Sequence, residues 1–244
     1  MKVLSIILPV YRPRRGVART AKRLCHQARL LPCRAEVIVA AAPGVALEPI
    51  GPDSGSVFVD LKVLRGDGQS LRMDPARAGV LGSKGDYVLV LGETRGISLT
   101  ELLKLMPHLE RGAHVVIGSR FLEPSAVRSQ SWYGRALQAA VSCLGGLALL
   151  GGIRDMHSGF TCFVGPVARQ LYAASHGAGQ ALELQVLALA RQLGYVLVEV
   201  PVRWGALGGR AAGSIGSLWS TVTSLLLVRW RADGRRHRAA RLTT

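Results

Sequence analysis

Between Asp86 and Phe121 two short apolar runs flank one helical segment, and this arrangement constrains the chain more than any other stretch. Tyr87-Val88-Leu89-Val90-Leu91 is long enough for one buried strand. It stops at Gly92-Glu93-Thr94. The segment that follows, with Thr100, Leu102, Leu103 and Leu105, reads as helix. A second run, Val115-Val116-Ile117, ends in Gly118-Ser119-Arg120-Phe121. Buried strands with polar residues at their carboxyl ends predict an α/β sheet with a ligand crevice along one edge.

The rest of the chain repeats the alternation. Val3 to Val10 is an apolar strand ending in Pro9-Val10-Tyr11. Its apolar run is too short for a signal sequence, and Arg12 and Arg14 follow it instead of a small-residue cleavage site. A helix carrying Val17, Leu24, Ala28 and Leu31 on one face leads to the strand Glu36–Ala40, so a parallel pair with a right-handed crossover is expected. A Gly/Pro loop from Pro43 to Gly55 precedes edge-strand material in Val57-Phe58-Val59 and Leu61–Leu64. Ala136 to Ile153 carries no charge and sits at the lower length limit for a membrane span. Gly145, Gly146, Gly151 and Gly152 argue instead for a buried or membrane-contacting helix. A helix from Leu182 with Leu187, Ala190 and Leu193 precedes a strand from Tyr195 to Val202. A Gly-rich linker, Gly205 to Gly213, then joins an uncharged helix from Ser214 to Val228.

Composition narrows the partners. The 244 residues suffice for one well-buried α/β domain. A net charge of +16 attracts polyanions: nucleotides, phosphorylated lipids, anionic membranes or nucleic acid. The charge is clustered at Arg12, Arg14, Arg15, Arg19, Lys22, Arg23 and Arg29, and again from Arg229 to Arg241. Aromatic residues make up only 5% and do not interleave with the basic ones, so no nucleic-acid partner is expected. Cys25, Cys33, Cys143 and Cys162 show no metal-binding or disulfide spacing and read as reduced thiols of a cytosolic protein. The C-terminal helix, with Trp219 and Trp230 near its ends and arginines after it, reads as a peripheral anchor on an anionic membrane surface. A helix docked on the core is the alternative.

Several of these stretches together resemble a family 2 glycosyltransferase of GT-A fold, of the polyprenyl- or dolichyl-phosphate sugar synthase type. In that family Gly-Asp-Tyr-Val opens a strand and Gly-Ser-Arg-Phe closes the next; here they are Gly85–Val88 and Gly118–Phe121. Pro9-Val10-Tyr11 resembles its Pro-x-Tyr, and Arg77-Ala78-Gly79 its Arg-x-Gly, with Arg72 where a lysine is usual. Asp155, Gly159 and Phe160 match its Asp-x-Gln-x-Gly-Phe-Lys, while His157 and Thr161 depart. The helix with Glu183 and the strand Glu199-Val200-Pro201-Val202-Arg203-Trp204 also match. The resemblance runs from about Val3 to Arg231. It implies a mixed, mostly parallel Rossmann-like sheet flanked by helices over residues 1–210, with a C-terminal amphipathic helix and basic tail at 211–244.

The resemblance implies transfer of a sugar, with inversion, from a nucleoside diphosphate sugar to a lipid-linked phosphate. It gives Arg120, Arg135 and Asp155 catalytic positions, the arginines on phosphates and Asp155 on the acceptor side. It makes Pro9, Tyr11, Arg72, Arg77, Gly118, Ser119 and Gly159 substrate-binding. It also implies Mg²⁺ or Mn²⁺ held by Asp-x-Asp, but that site reads Gly92-Glu93-Thr94, with Glu93 at the middle position. The family's nucleotide-binding Asp-Asp-Gly-Ser reads Ala41-Ala42-Pro43-Gly44. Hard cations want carboxylate oxygens, so either arginines replace the metal or the nucleotide site no longer works. The expectation is a cytoplasmic protein, peripheral at the inner face of the cell membrane, with weak or metal-independent transferase activity. The alternative is a catalytically inactive relative acting as a membrane-associated partner or regulator.

Overall fold

The computed structural model describes residues 2–13, 15–50, 59–64, 73–92, 98–119, 122, 153–156 and 158–203. Seven strands form one sheet: β1 (Val3–Val10), β2 (Arg34–Ala41), β3 (Val59–Leu64), β4 (Tyr87–Leu91), β5 (Val115–Ser119), β6 (Phe160–Val164) and β7 (Leu197–Pro201). Their spatial order is β3-β2-β1-β4-β6-β5-β7. Six run in one direction; β6 runs antiparallel to both its neighbours, β4 and β5. The chain winds outward from β1 to β3 and returns to β4 on the other side of β1. That reversal opens a crevice beyond the carboxyl ends of β1 and β4.

Burial on both faces explains the near-continuous apolar runs. One face packs α1 (Val17–Ala28) and α3 (Leu102–Glu110) over Leu4, Ile6, Val37, Leu89 and Val116. The other packs α2 (Pro75–Leu81), α4 (Gly165–Ala174) and α5 (Gln180–Gln192) over Ile7, Ile38, Val88 and Ile117. Successive strand residues therefore serve opposite cores, as the two-residue repeat requires. Leu31, expected within the first helix, lies just past its end and still packs against the core.

The two runs flanking the first helical segment considered above are β4 and β5, but they are not neighbours. Phe160-Thr161-Cys162-Phe163-Val164 lies between them as β6, pairing Leu89 with Cys162 on one side and Val116 with Cys162 on the other. Neither β6 nor α4 was expected from the sequence. Cys33 and Cys162 are free thiols, and burial pushes the Cys162 thiol up to about 12. Among the described residues no helix is long and apolar enough to cross a membrane. The expected helices at 136–153 and 214–228 lie outside the described residues.

At the sheet end opposite the crevice, one buried carboxylate ties four segments together. Glu36 accepts hydrogen bonds from Ser5 Oγ (2.5 Å), Lys62 Nζ (2.6 Å) and the Lys84 N–H (2.6 Å). Ser5 Oγ accepts in turn from the Gly85 N–H at 2.8 Å. A Cβ on Gly85 would sit 2.4 Å from Ser5 Oγ, so the approach depends on glycine. Burial alone would raise the Glu36 carboxyl, but the hydrogen bonds from Lys62, Lys84 and Ser5 outweigh it and hold it below its usual range. This stabilisation is fully present above the unfolded glutamate pKa of about 4.3 and is lost as pH falls through the depressed folded value. Glu36→Gln is expected to lower unfolding free energy by roughly 1–3 kcal/mol at pH 7. Urea denaturation would show this deficit shrinking in acid.

Candidate active site

The crevice edge is built from strand ends. Pro9 and Val10 close β1, and Pro9 lies past the last β1–β4 pair, Ile7 with Val90, so its missing N–H breaks no bond to β4. Tyr11 follows. Its hydroxyl donates to Asp74 Oδ1 at 3.1 Å. Burial, reinforced by Asp74, Tyr172 and Glu183, pushes the Tyr11 phenol far above its ordinary value, so it remains a donor. Burial likewise raises Tyr172, with Glu183 and Asp74 adding to it.

Asp74 organises this corner. Its Oδ1 caps α2 by accepting from the Ala76 N–H at 2.8 Å, and its Oδ2 accepts from the Gly179 N–H at 2.6 Å. One carboxylate thus joins the end of β1, the start of α2 and the turn into α5. Asp74 was not among the expected site residues, although Asp-Pro at a helix start is a readable capping signal.

The motif around Asp155 and Gly159, expected on the acceptor side, is held by two further acids. Glu199 on β7 accepts from the Arg154 N–H (3.0 Å) and the Asp155 N–H (2.8 Å), fixing the backbone at Asp155, which is 1% exposed. Glu183, in the first turn of α5, accepts from the Gly159 N–H at 3.3 Å. Gly159 has φ +61°, a conformation glycine adopts without strain. Ser158 Oγ accepts from the Phe160 N–H at 3.1 Å and completes the turn into β6. The sequence placed Glu183 and Glu199 in matching segments without assigning them to the site.

Gly92 closes the end of β4 on this turn. Its N–H donates to the Gly159 carbonyl at 2.8 Å. A Cβ on Gly92 would stand 2.8 Å from Gly159 Cα, a backbone atom that no rotamer change can move. Gly118 has a packing reason of its own: a Cβ there would meet Phe160 Cδ1 at 2.7 Å and both methyls of Val202. Ser119, fully buried, accepts at its carbonyl from the Val202 N–H at 3.1 Å. Arg77 stands on α2, and its Nη2 donates to the Ala173 carbonyl at the end of α4, 3.0 Å away.

The structure therefore brings Pro9, Tyr11, Asp155, Gly159 and Ser119 to one end of the sheet. Arg77 is carried on α2 beside α4. Arg72, Glu93, Arg120 and Arg135 lie outside the described residues. A divalent cation does not fit the described set. Ala41, Ala42 and Gly92 supply no carboxylate at the strand ends, and the described residues contain no cluster of three or more His, Cys, Asp or Glu able to hold a metal.

Solved structures with a similar fold include sugar-phosphoglycerate synthases. Glucosyl-3-phosphoglycerate synthase from Mycobacterium tuberculosis, solved with Mn²⁺, UDP-glucose and glycerol 3-phosphate, superposes with TM-score 0.60 at 18% identity over 93% of this chain and 80% of that one. The chain has the GT-A fold. In sequence it is similar to the dolichyl-phosphate β-glucosyltransferase of Dictyostelium discoideum, 25% identical over 186 residues, which is 74% of this chain and 55% of the relative. The enzyme of the same name from Drosophila melanogaster is 30% identical over 152 residues, 59% of this chain and 45% of the relative. The chain thus spans about half the length of these curated relatives. No family model matches it. The likeness to family 2 glycosyltransferases of the polyprenyl-phosphate sugar synthase type is carried by sequence and fold together.

Gly92→Ala is expected to destabilise the protein by roughly 1–3 kcal/mol, because the added methyl overpacks against backbone. The larger Gly92→Asp should cost at least as much. Thermal denaturation of both variants checks this; an unchanged midpoint for Gly92→Asp would show that the strand end has room for a carboxylate.

Proposed function

We propose that this chain is a family 2 glycosyltransferase that transfers a sugar from a nucleoside diphosphate sugar to a polyprenyl phosphate of the dolichyl type, slowly and without a divalent metal. The observation that carries the reading is the pairing of an intact acceptor-side turn with a closed carboxylate position. Asp155 to Gly159 is braced by Glu199 and Glu183, while Gly92 packs directly on Gly159. Similarity to dolichyl-phosphate β-glucosyltransferases supports the acceptor class.

The chemistry is compatible with that layout. A phosphate oxygen of the acceptor attacks the anomeric carbon, the bond from that carbon to the diphosphate breaks, and the nucleoside diphosphate leaves with the electron pair. The nucleophile is already anionic near neutrality, so no strong general base is required. Neutralising two phosphates is the main task. Guanidinium groups suit it, and the reading assigns it to Arg120 and Arg135, with Arg72 and Arg77 contributing to donor binding. Tyr11, whose one O–H is donated to Asp74, offers its fixed ring as a wall at the donor-side rim.

In this reading residues 1–210 are the transferase domain and 211–244 a helix and basic tail that rest on an anionic membrane surface, at the inner face of the cell membrane. A catalytically inactive membrane-associated partner is the second reading, favoured by Ala41, Ala42, Gly92 and Thr94 where the family carries nucleotide- and metal-side acids.

Isothermal titration with UDP- and GDP-sugars separates the two, together with transfer assays on polyprenyl phosphate. The transferase reading expects binding and slow turnover in EDTA, neither raised by Mn²⁺. Absence of binding with and without Mn²⁺ would leave only the inactive partner.

A further inference from the structure

The outer face of α1 carries a charge that the site does not use. The first 35 residues contain nine Lys and Arg and no acid. Val17, Ala21, Leu24, Cys25 and Ala28 turn inward, which sends Arg15, Arg19, Lys22, Arg23, His26 and Arg29 to the exposed side. Positions 19, 22, 26 and 29 follow the three-to-four residue spacing of a single helical stripe, with Arg15 just before the helix. Over twelve residues that stripe is about 18 Å long.

The first acid in the chain, Glu36, is buried on the opposite face of the sheet with Ser5 and Lys62. Glu48 approaches only the start of the helix, through the Gly16 N–H at 3.4 Å. Glu101, near its far end, is paired with Lys104 at 2.7 Å. Among the described residues no carboxylate pairs with Arg15, Arg19 or Lys22. Beyond the helix, Leu30 is 71% exposed.

We propose that this face is a docking surface for an anionic phospholipid bilayer. Its chemistry is a row of basic side chains with an exposed leucine at one end and no Phe, Tyr or Trp on which a base could stack, which favours lipid phosphate over nucleic acid. The choice of a bilayer rests on the reading that the acceptor is a lipid phosphate. The helix starts at Val17, past the turn that follows Tyr11, so the basic row begins on the crevice side of the sheet. Docking through α1 brings that side to headgroup level, where a lipid-borne phosphate resides. The surface is separate from the C-terminal basic tail and acts alongside it.

The test uses the full chain and a triple variant, Arg15→Gln, Arg19→Gln and Lys22→Gln, all at exposed positions. Partition onto vesicles of phosphatidylcholine with 30 mol% (~30%) phosphatidylglycerol is measured by cosedimentation, with pure phosphatidylcholine vesicles for comparison. A contribution near 1 kcal/mol per basic residue predicts at least about a tenfold weaker partition for the variant, with an unchanged melting temperature and unchanged UDP-sugar binding. It also predicts that raised salt narrows the gap. Wild-type partition by a folded variant would overturn the proposal. So would equal binding of the wild type to both vesicles, or tighter α1-dependent binding to an oligonucleotide at the same salt. Loss of UDP-sugar binding by the wild type, with α1-dependent partition intact, would count against the transferase reading and not against this surface.

Discussion

The contact between Gly92 and Gly159 governs what the crevice can hold. A hydrogen bond of 2.8 Å draws the end of β4 onto the turn that starts β6, and the absence of a side chain on Gly92 makes the approach feasible. In the resembling family that strand end offers a carboxylate to a cation. Here the space is filled by backbone. The loss of the acid is therefore a feature of packing as well as of composition, and reinstating it would move two strands.

The carboxylates that remain work structurally. Asp74, Glu183 and Glu199 each accept from backbone N–H groups at a turn or helix start. Such bonds position Tyr11, Gly159 and Asp155 without leaving those carboxylates pointing freely at a phosphate. The sign of the site must then come from cations, and a chain with a net charge of +16 has them in excess. Clustered arginine can neutralise a diphosphate by bidentate bonding, though with less charge density than a divalent ion.

Much of the fold was legible because parallel strands buried on both faces leave unbroken apolar runs. β1, β2, β4 and β5 announce themselves this way, the half-buried edge strand β7 shows through its alternation around Glu199, and the 3.6-residue repeat marks α1 and α5. β6 was hidden because Phe160 to Val164 was read through its motif, whose Thr161 interrupts the apolar run. Its pairing is long-range, and nothing local shows that it inserts between β4 and β5. The site was legible where a motif survives, as at Asp155 and Gly159. It was not legible at Asp74, whose capping of α2 is local but whose bonds to Tyr11 and Gly179 span 63 and 105 positions. Nor could any pattern show that Gly92 faces Gly159, a contact between residues 67 positions apart.

The account stands on the claim that this crevice handles phosphate without a divalent ion. Electron paramagnetic resonance of Mn²⁺ in the presence of the protein and a UDP-sugar tests it directly. The signal should match that of Mn²⁺ with the nucleotide sugar alone, with no additional immobilised ion. A protein-dependent, stoichiometric loss of the free-ion signal would contradict it.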